Sequence, residues 1–170
     1  MRFVLAGQPN CGKSTIFNSV AGYRAATANF PGSSVSFTFS RALIHGREVE
    51  VVDLPGIYSL ISSVADAGTA EAYLLEETYD LIINVIDASR LGRSLELTLQ
   101  LLEFERPMIV ALNMMDEAAR HGVEVDPEMV NLVRRLGSAY RVGLLSNTSE
   151  REPERMLRCH GLEGLFDAVV

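Results

Sequence analysis

Gly7-Gln8-Pro9-Asn10-Cys11-Gly12-Lys13-Ser14 matches the pattern G-x-x-x-x-G-K-[ST], and it stands in the context that pattern requires. Phe3 to Ala6 before it is an apolar run that reads as a buried strand, and Gly12 to Val20 opens a helix after it. The glycines let the backbone curl so that successive N–H groups point inward, and the helix N-terminus adds partial positive charge. Nucleotide phosphates are therefore expected on the loop from Gly7 to Gly12, with Asn10 and Cys11 in it, and on Lys13, Ser14 and Thr15. Lys13 is read as the point charge between the β- and γ-phosphates and the Ser14 hydroxyl as a Mg²⁺ ligand. A bare glycine-rich turn is the competing reading, and the flanking strand and helix disfavour it.

Two further motifs follow in order. Asp53-Leu54-Pro55-Gly56 comes after Val49, Val51 and Val52, which sets Asp53 at the C-terminal end of a strand, 40 residues beyond Lys13. A carboxylate there is suited to hold Mg²⁺, commonly through water. Gly56 has no side chain, so its N–H can approach a γ-phosphate, and with Lys13 it forms the expected catalytic pair. Asn113-Met114-Met115-Asp116 follows the apolar run Met108 to Leu112, 60 residues beyond Asp53. Asp116 can accept from guanine N1–H and the exocyclic amine together, a charge-assisted contact that adenine cannot offer. Asn113 is expected to tie this loop to the phosphate loop, with Met114 beside the nucleotide. Each short motif alone reads as a turn or cap; their order and spacing make GTP or GDP the expected ligand.

Apolar runs alternate with helical patterns through the chain, which predicts an α/β domain with a mostly parallel sheet flanked by helices. Residues 25–36 read as a long loop, followed by strands near 35–43 and 48–53. Residues 24–35 and 56–68 are the loops long enough to be functional. Leu81 to Ile86 and Met108 to Leu112 read as central strands, and Leu91, Leu95, Leu99 and Leu102 as the stripe of an intervening helix. A helix is expected from Asp126-Pro127, a last strand over Val142 to Leu145, and a final helix after Ser149. No linker or repeat divides residues 1–170, so one domain is the reading.

A chain of 170 residues can bury about 70% of its unfolded surface, enough for one such domain. A net charge of −7 argues against a nucleic-acid surface, which gains affinity from clustered Lys and Arg. No apolar run reaches the roughly 18 residues a membrane helix needs. Cys11 and Cys159 suggest no disulfide framework, which makes a reducing cytoplasm the expected location. Cys11 lies near dipoles able to lower a thiol pKa, although a filler position is the favoured account. His45, His121 and His160 are isolated, so direct binding of iron is not expected.

The residues resemble a translation-factor-type GTPase, and more closely the G domain of the ferrous iron transport protein B (FeoB) family. The resemblance rests on residues 7–14, on Asn29-Phe30-Pro31-Gly32, on Asp53-Leu54-Pro55-Gly56-Ile57-Tyr58-Ser59-Leu60 and on Leu112-Asn113-Met114-Met115-Asp116-Glu117. It covers roughly residues 1–126. It implies a P-loop GTPase fold and a cytosolic GTP-hydrolysing domain joined to a membrane-embedded Fe²⁺ pathway that this chain does not include. It also implies that Asn10 helps to hold an activating K⁺, and that Gly32, Ser33 and Ser34 belong to the loop closing over the nucleotide.

Three departures from the family carry consequences. The Mg²⁺-binding threonine of such loops is Ser34 here, or Ser33 if the register is one earlier, and either keeps a hydroxyl. Ile57 stands where many GTPases carry a water-orienting glutamine, so slow turnover is expected. From about Pro127 the chain looks instead like a segment of haloacid-dehalogenase-type hydrolases, through Leu144-Leu145-Ser146-Asn147-Thr148 and Leu165-Phe166-Asp167-Ala168-Val169-Val170, but without their Asp-x-Asp nucleophile. Natural divergence and a spliced chimera both fit that tail. Ser146 and Asn147 fall where a Ser-Ala loop offers a backbone N–H to guanine O6, and Asn147 is bulkier than alanine. The leading expectation is slow Mg²⁺-dependent GTP hydrolysis. A nucleotide-gated binding module and a hybrid with impaired nucleotide binding are the alternatives.

Overall fold

Val4, Leu5 and Ala6 are each at most 3% exposed, because the strand that carries them is covered on both faces. The computed structural model describes residues 1–21, 25–29, 36–44, 46–61, 65–114, 117, 135, 141–144, 164 and 168–169. Among them are strands β1 (Arg2–Gly7), β2 (Ala26–Asn29), β3 (Ser36–Ile44), β4 (Arg47–Asp53), β5 (Leu81–Asp87), β6 (Met108–Asn113), β7 (Arg141–Leu144) and β8 (Ala168–Val169). The helices are α1 (Lys13–Ala21), α2 (Ala65–Glu76) and α3 (Leu91–Leu102), the last entered through a 3₁₀ turn at Ala88–Arg90.

All eight strands form one sheet in the order β2-β3-β4-β1-β5-β6-β7-β8. The pairs from β4 through β8 are parallel, and only β2–β3 and β3–β4 are antiparallel. The α/β architecture with a mostly parallel sheet is therefore as read from the sequence. Alternation along each central strand sends side chains to opposite faces. Val4, Val52, Ile82, Ile86, Val110 and Leu112 join α2 and α3 in one core. Leu5, Val49, Val51 and Val85 join Ile16 and Phe17 of α1 in the other. Continuous burial of this kind is what parallel strands between two helical layers need. Among the described residues no helix is long and apolar enough to cross a membrane.

The structure corrects the sequence reading at four elements, one being the expected last strand, since β7 is followed by β8 at Ala168–Val169. Ala26–Asn29 is a strand rather than loop, paired with β3 from Ala26↔Phe39 to Asn29↔Ser36. It is a short polar edge strand whose ladder comes from its neighbour, so its own sequence carries little strand signal. The loop read over residues 56–68 gives way to α2 at Ala65, which buries Thr69, Ala70, Tyr73 and Leu74 at helical spacing. In α3 the buried face is Ser94, Leu95, Leu97, Thr98 and Leu101, whereas Leu99 is 57% exposed. Leucines occur on every side of that helix. Its inward hydroxyls are satisfied: Ser94 Oγ donates to the Arg90 carbonyl, Thr98 Oγ1 to the Ser94 carbonyl, and Asn84 Nδ2 to Thr98 Oγ1 at 2.7 Å. The helices expected from Asp126 and after Ser149 lie outside the described residues.

Candidate nucleotide site

The parallel register Leu5↔Asp53 brings the ends of β1 and β4 side by side, where the loop of residues 8–12 turns into α1. Gly12 adopts φ +87, and a Cβ on it would run into the Asn113 amide. That amide donates to the Cys11 carbonyl at 2.9 Å, so the end of β6 is pinned to the loop. Gly56 makes the second close approach. A Cβ there would meet the Pro9 backbone at 2.9 Å, while the Ile57 N–H donates to the Gly7 carbonyl at 3.1 Å. Side-chain-free residues at these two points let three chain segments crowd together.

Lys13 is 7% exposed, and its Nζ lies 2.6 Å from Asp53 Oδ1. Ser14 Oγ donates to the other oxygen, Oδ2, at 3.0 Å. One carboxylate thus holds the ammonium and the hydroxyl together at the head of α1. The adjoining cleft of about 410 Å³ is lined by residues of the loop, by Lys13, Ser14 and Thr15, and by Gly56 and Met114. Asn10 (φ 63) and Met114 (φ 60) line it in the left-handed region, which is uncommon outside glycine and marks a backbone held by its surroundings. Burial pushes the Cys11 thiol pKa up, against the lowering effect of the Lys13 backbone and charge. An activated thiolate is thereby disfavoured.

Gly7, Asn10, Cys11, Gly12, Lys13, Ser14, Thr15, Asp53, Gly56, Asn113 and Met114 are thus gathered at one edge of the sheet. Gly32, Ser33, Ser34, Asp116, Ser146 and Asn147 lie outside the described residues. Ile57 is 6% exposed and packs in the core beneath α2 and α3, so its side chain is turned away from solvent.

Other residues that shape the site escaped the sequence reading. Gln8, a filler in the motif, is 4% exposed and donates through Nε2 to the Arg93 carbonyl at 2.5 Å, fastening the loop to α3. Gln100 on the same helix holds the segment after Gly56, accepting from the Leu60 N–H at 2.7 Å and donating to Ser59 Oγ at 2.9 Å. These are tertiary contacts, and no local pattern signals them.

The chain matches the family model described as ferrous iron transport protein B over residues 1–153. It is 42% identical over 129 residues to the Fe(2+) transporter FeoB of Legionella pneumophila, a match covering 74% of this chain and 17% of that protein. The G domain of the T. maritima FeoB iron transporter superposes with a TM-score of 0.74 at 32% identity, covering 95% of this chain and 98% of that one. The cytosolic domain of the same transporter in a GDP form gives 0.75 at 34% identity, covering 94% and 62%. The fold is accordingly that of P-loop GTPases. The chain spans about a fifth of the length of the transporters it matches, between 17% and 21%. The likeness of residues 127–170 to haloacid-dehalogenase-type hydrolases finds no support, since the family match runs on to residue 153 and the superposed G domain takes in nearly the whole chain.

Proposed function

Because this chain belongs to the ferrous iron transport protein B family, we propose that it is a guanine-nucleotide-binding domain that hydrolyses GTP slowly with Mg²⁺. On this reading residues 1–170 are one G domain, working on the cytosolic face of a membrane transport domain outside this chain. The observation that supports it best is the triad at the head of α1, where Asp53 binds Lys13 at 2.6 Å and Ser14 at 3.0 Å. A paired ammonium and a hydroxyl at the head of a helix are what a triphosphate and its cation need.

Ser14 and Asp53 offer hard oxygen atoms already close together, a donor set that fits Mg²⁺. When bound, Mg²⁺ would neutralise charge on the terminal phosphates. Lys13 would turn its ammonium to the β- and γ-oxygens, the loop N–H groups would cradle the chain of phosphates, and the Gly56 N–H would meet the γ-phosphate. Ser34, or Ser33, is proposed as a further Mg²⁺ ligand, and Asn10, exposed on the loop, as a K⁺ ligand. Asp116 is proposed to read guanine, with Asn113 supporting it, and Ser146 and Asn147 to close over the base.

One observation favours a second reading. Ile57 is buried in the core, so no side chain at that position orients the attacking water, and a nucleotide-gated switch with negligible turnover also fits. Single-turnover GTP hydrolysis in K⁺ and Na⁺ salts separates the two. Titration with fluorescent GDP, GTP and ATP tests the shared premise: guanine nucleotides should bind and ATP should not. Asp116→Asn should weaken GDP binding roughly 30-fold or more and favour xanthine nucleotides, because an amide can donate where the carboxylate only accepts. Equal binding of GDP by parent and variant removes the guanine assignment.

A further inference from the structure

We infer that Gln100 of α3 is a positioning residue that holds the segment after Gly56 in place to sense a γ-phosphate. The inference rests on the nucleotide reading above. Gln100 is half-buried, and its amide oxygen accepts the Leu60 N–H at 2.7 Å while its amide nitrogen donates to Ser59 Oγ at 2.9 Å. Ser59 Oγ in turn accepts the Ile61 N–H at 3.2 Å. One side chain thus organises three consecutive residues that would otherwise leave their polar groups to solvent.

A second contact from the same helix acts about two turns away. The Arg93 guanidinium lies 4.2 Å above the centre of the Tyr58 ring, a cation–π distance. The carbonyl of that same Arg93 accepts from Gln8 of the phosphate loop at 2.5 Å. α3 therefore holds the loop through Gln8 and, through Arg93 and Gln100, the segment of residues 58–61 that follows Gly56, itself in the cleft lining. Leu54, Ile57 and Leu60 are buried, so the segment is anchored in the core at intervals and only its polar groups need the helix. Gly56 lies within this span, and its backbone abuts Pro9. A γ-phosphate would meet Gly56, whereas a diphosphate would be held by the loop alone. Loosening residues 59–61 should consequently weaken triphosphate binding and spare diphosphate binding.

Gln100→Leu removes the amide and leaves an apolar side chain one atom shorter, and Gln100→Glu keeps an acceptor for the Leu60 N–H. Affinities for fluorescent GDP and for a non-hydrolysable fluorescent GTP analogue would be measured on the parent and both variants. Amide exchange at Leu60 would be followed in the nucleotide-free protein. In Gln100→Leu the GTP analogue should bind about fivefold more weakly, the factor carried by one neutral hydrogen bond, with GDP within twofold of the parent and Leu60 exchange accelerated. Gln100→Glu should restore most of the lost affinity. Equal changes for the two nucleotides, a gain in preference for the GTP analogue, or unaltered Leu60 exchange would each overturn the inference. A parent that binds neither nucleotide would instead overturn the nucleotide reading itself, and this inference with it.

Discussion

Lys13 and Asp53 are 7% and 11% exposed at their side chains, so each charge is largely removed from water and depends on the other. Breaking a buried pair by deleting one partner leaves an uncompensated charge, which typically costs about 3 to 5 kcal/mol. This pair borders a cleft, and Ser14 remains to donate to the carboxylate, so a smaller penalty of about 1 to 3 kcal/mol is expected for Lys13→Ala in the nucleotide-free protein. The variant should stay folded, melt earlier than the parent and show no detectable GTP binding or hydrolysis. Calorimetry together with nucleotide titration checks both parts. An unchanged rate of GTP turnover would remove Lys13 from the site, and an unchanged melting temperature would mean that water reaches Asp53 freely. Lys13→Arg is not a rescue, because a planar guanidinium does not replace a compact ammonium at this close contact.

At the scale of elements, α2 carries a buried phenol whose titration reports on its packing. Tyr73 is 2% exposed, meets the Phe37 ring edge-on at a centroid distance of 5.3 Å, and burial pushes its pKa up from 10 to about 12. The raised folded-state value means that this contribution to stability is complete below pH 10 and is lost as pH climbs from 10 towards 12. The slope approaches about 1.4 kcal/mol per pH unit for the single proton. Tyr73→Phe should therefore lose less stability between pH 9 and pH 11 than the parent, as read by urea denaturation at each pH. Identical losses would show that Tyr73 ionises without leaving the core. Legibility in the sequence also divides at this scale. The phosphate loop is a local device: eight consecutive residues specify the turn, the helix start and the charge, and nothing distant is needed to read it. The strands read at Leu81 to Ile86 and Met108 to Leu112 were legible because burial on both faces demands largely apolar runs, broken here only by Asn84. β2 was not, since its four residues are held by β3. Nor was the inward face of α3, where Ser94 and Thr98 are buried and Leu99 is not, because the amide that donates to the Thr98 hydroxyl, Asn84, comes from β5, distant in sequence.

For the molecule as a whole, the question is how far residues beyond 126 belong to the unit that binds nucleotide. β7 pairs with β6 from Ile109↔Arg141 to Leu112↔Leu144, and β8 pairs with β7 at Gly143↔Ala168 and Leu144↔Val169. β6 is thus an interior strand, and its Met108, Val110, Ala111 and Leu112 are at most 6% exposed. It also ends in Asn113, whose amide fastens the end of β6 to the phosphate loop. A chain stopped at residue 126 would turn β6 into an edge with unpaired N–H and C=O groups along a flat apolar strand, a template for aggregation. We therefore expect residues 1–126 alone to be aggregation-prone and to lack a cooperative melt, while the full chain melts in one transition. In the full chain, GDP at about 100 times its dissociation constant should add about 2.7 kcal/mol. At roughly 2 to 4 °C per kcal/mol for a protein of this size, that is a rise of about 5 to 11 °C. The truncated chain should show no such rise, because the strand that presents Asn113 has lost its support. Differential scanning fluorimetry with and without GDP, on both chains, is decisive. A cooperative melt of residues 1–126 with the same GDP-dependent rise would mean that β7 and β8 lean on a site complete without them. Failure of that fragment alone would make them part of it.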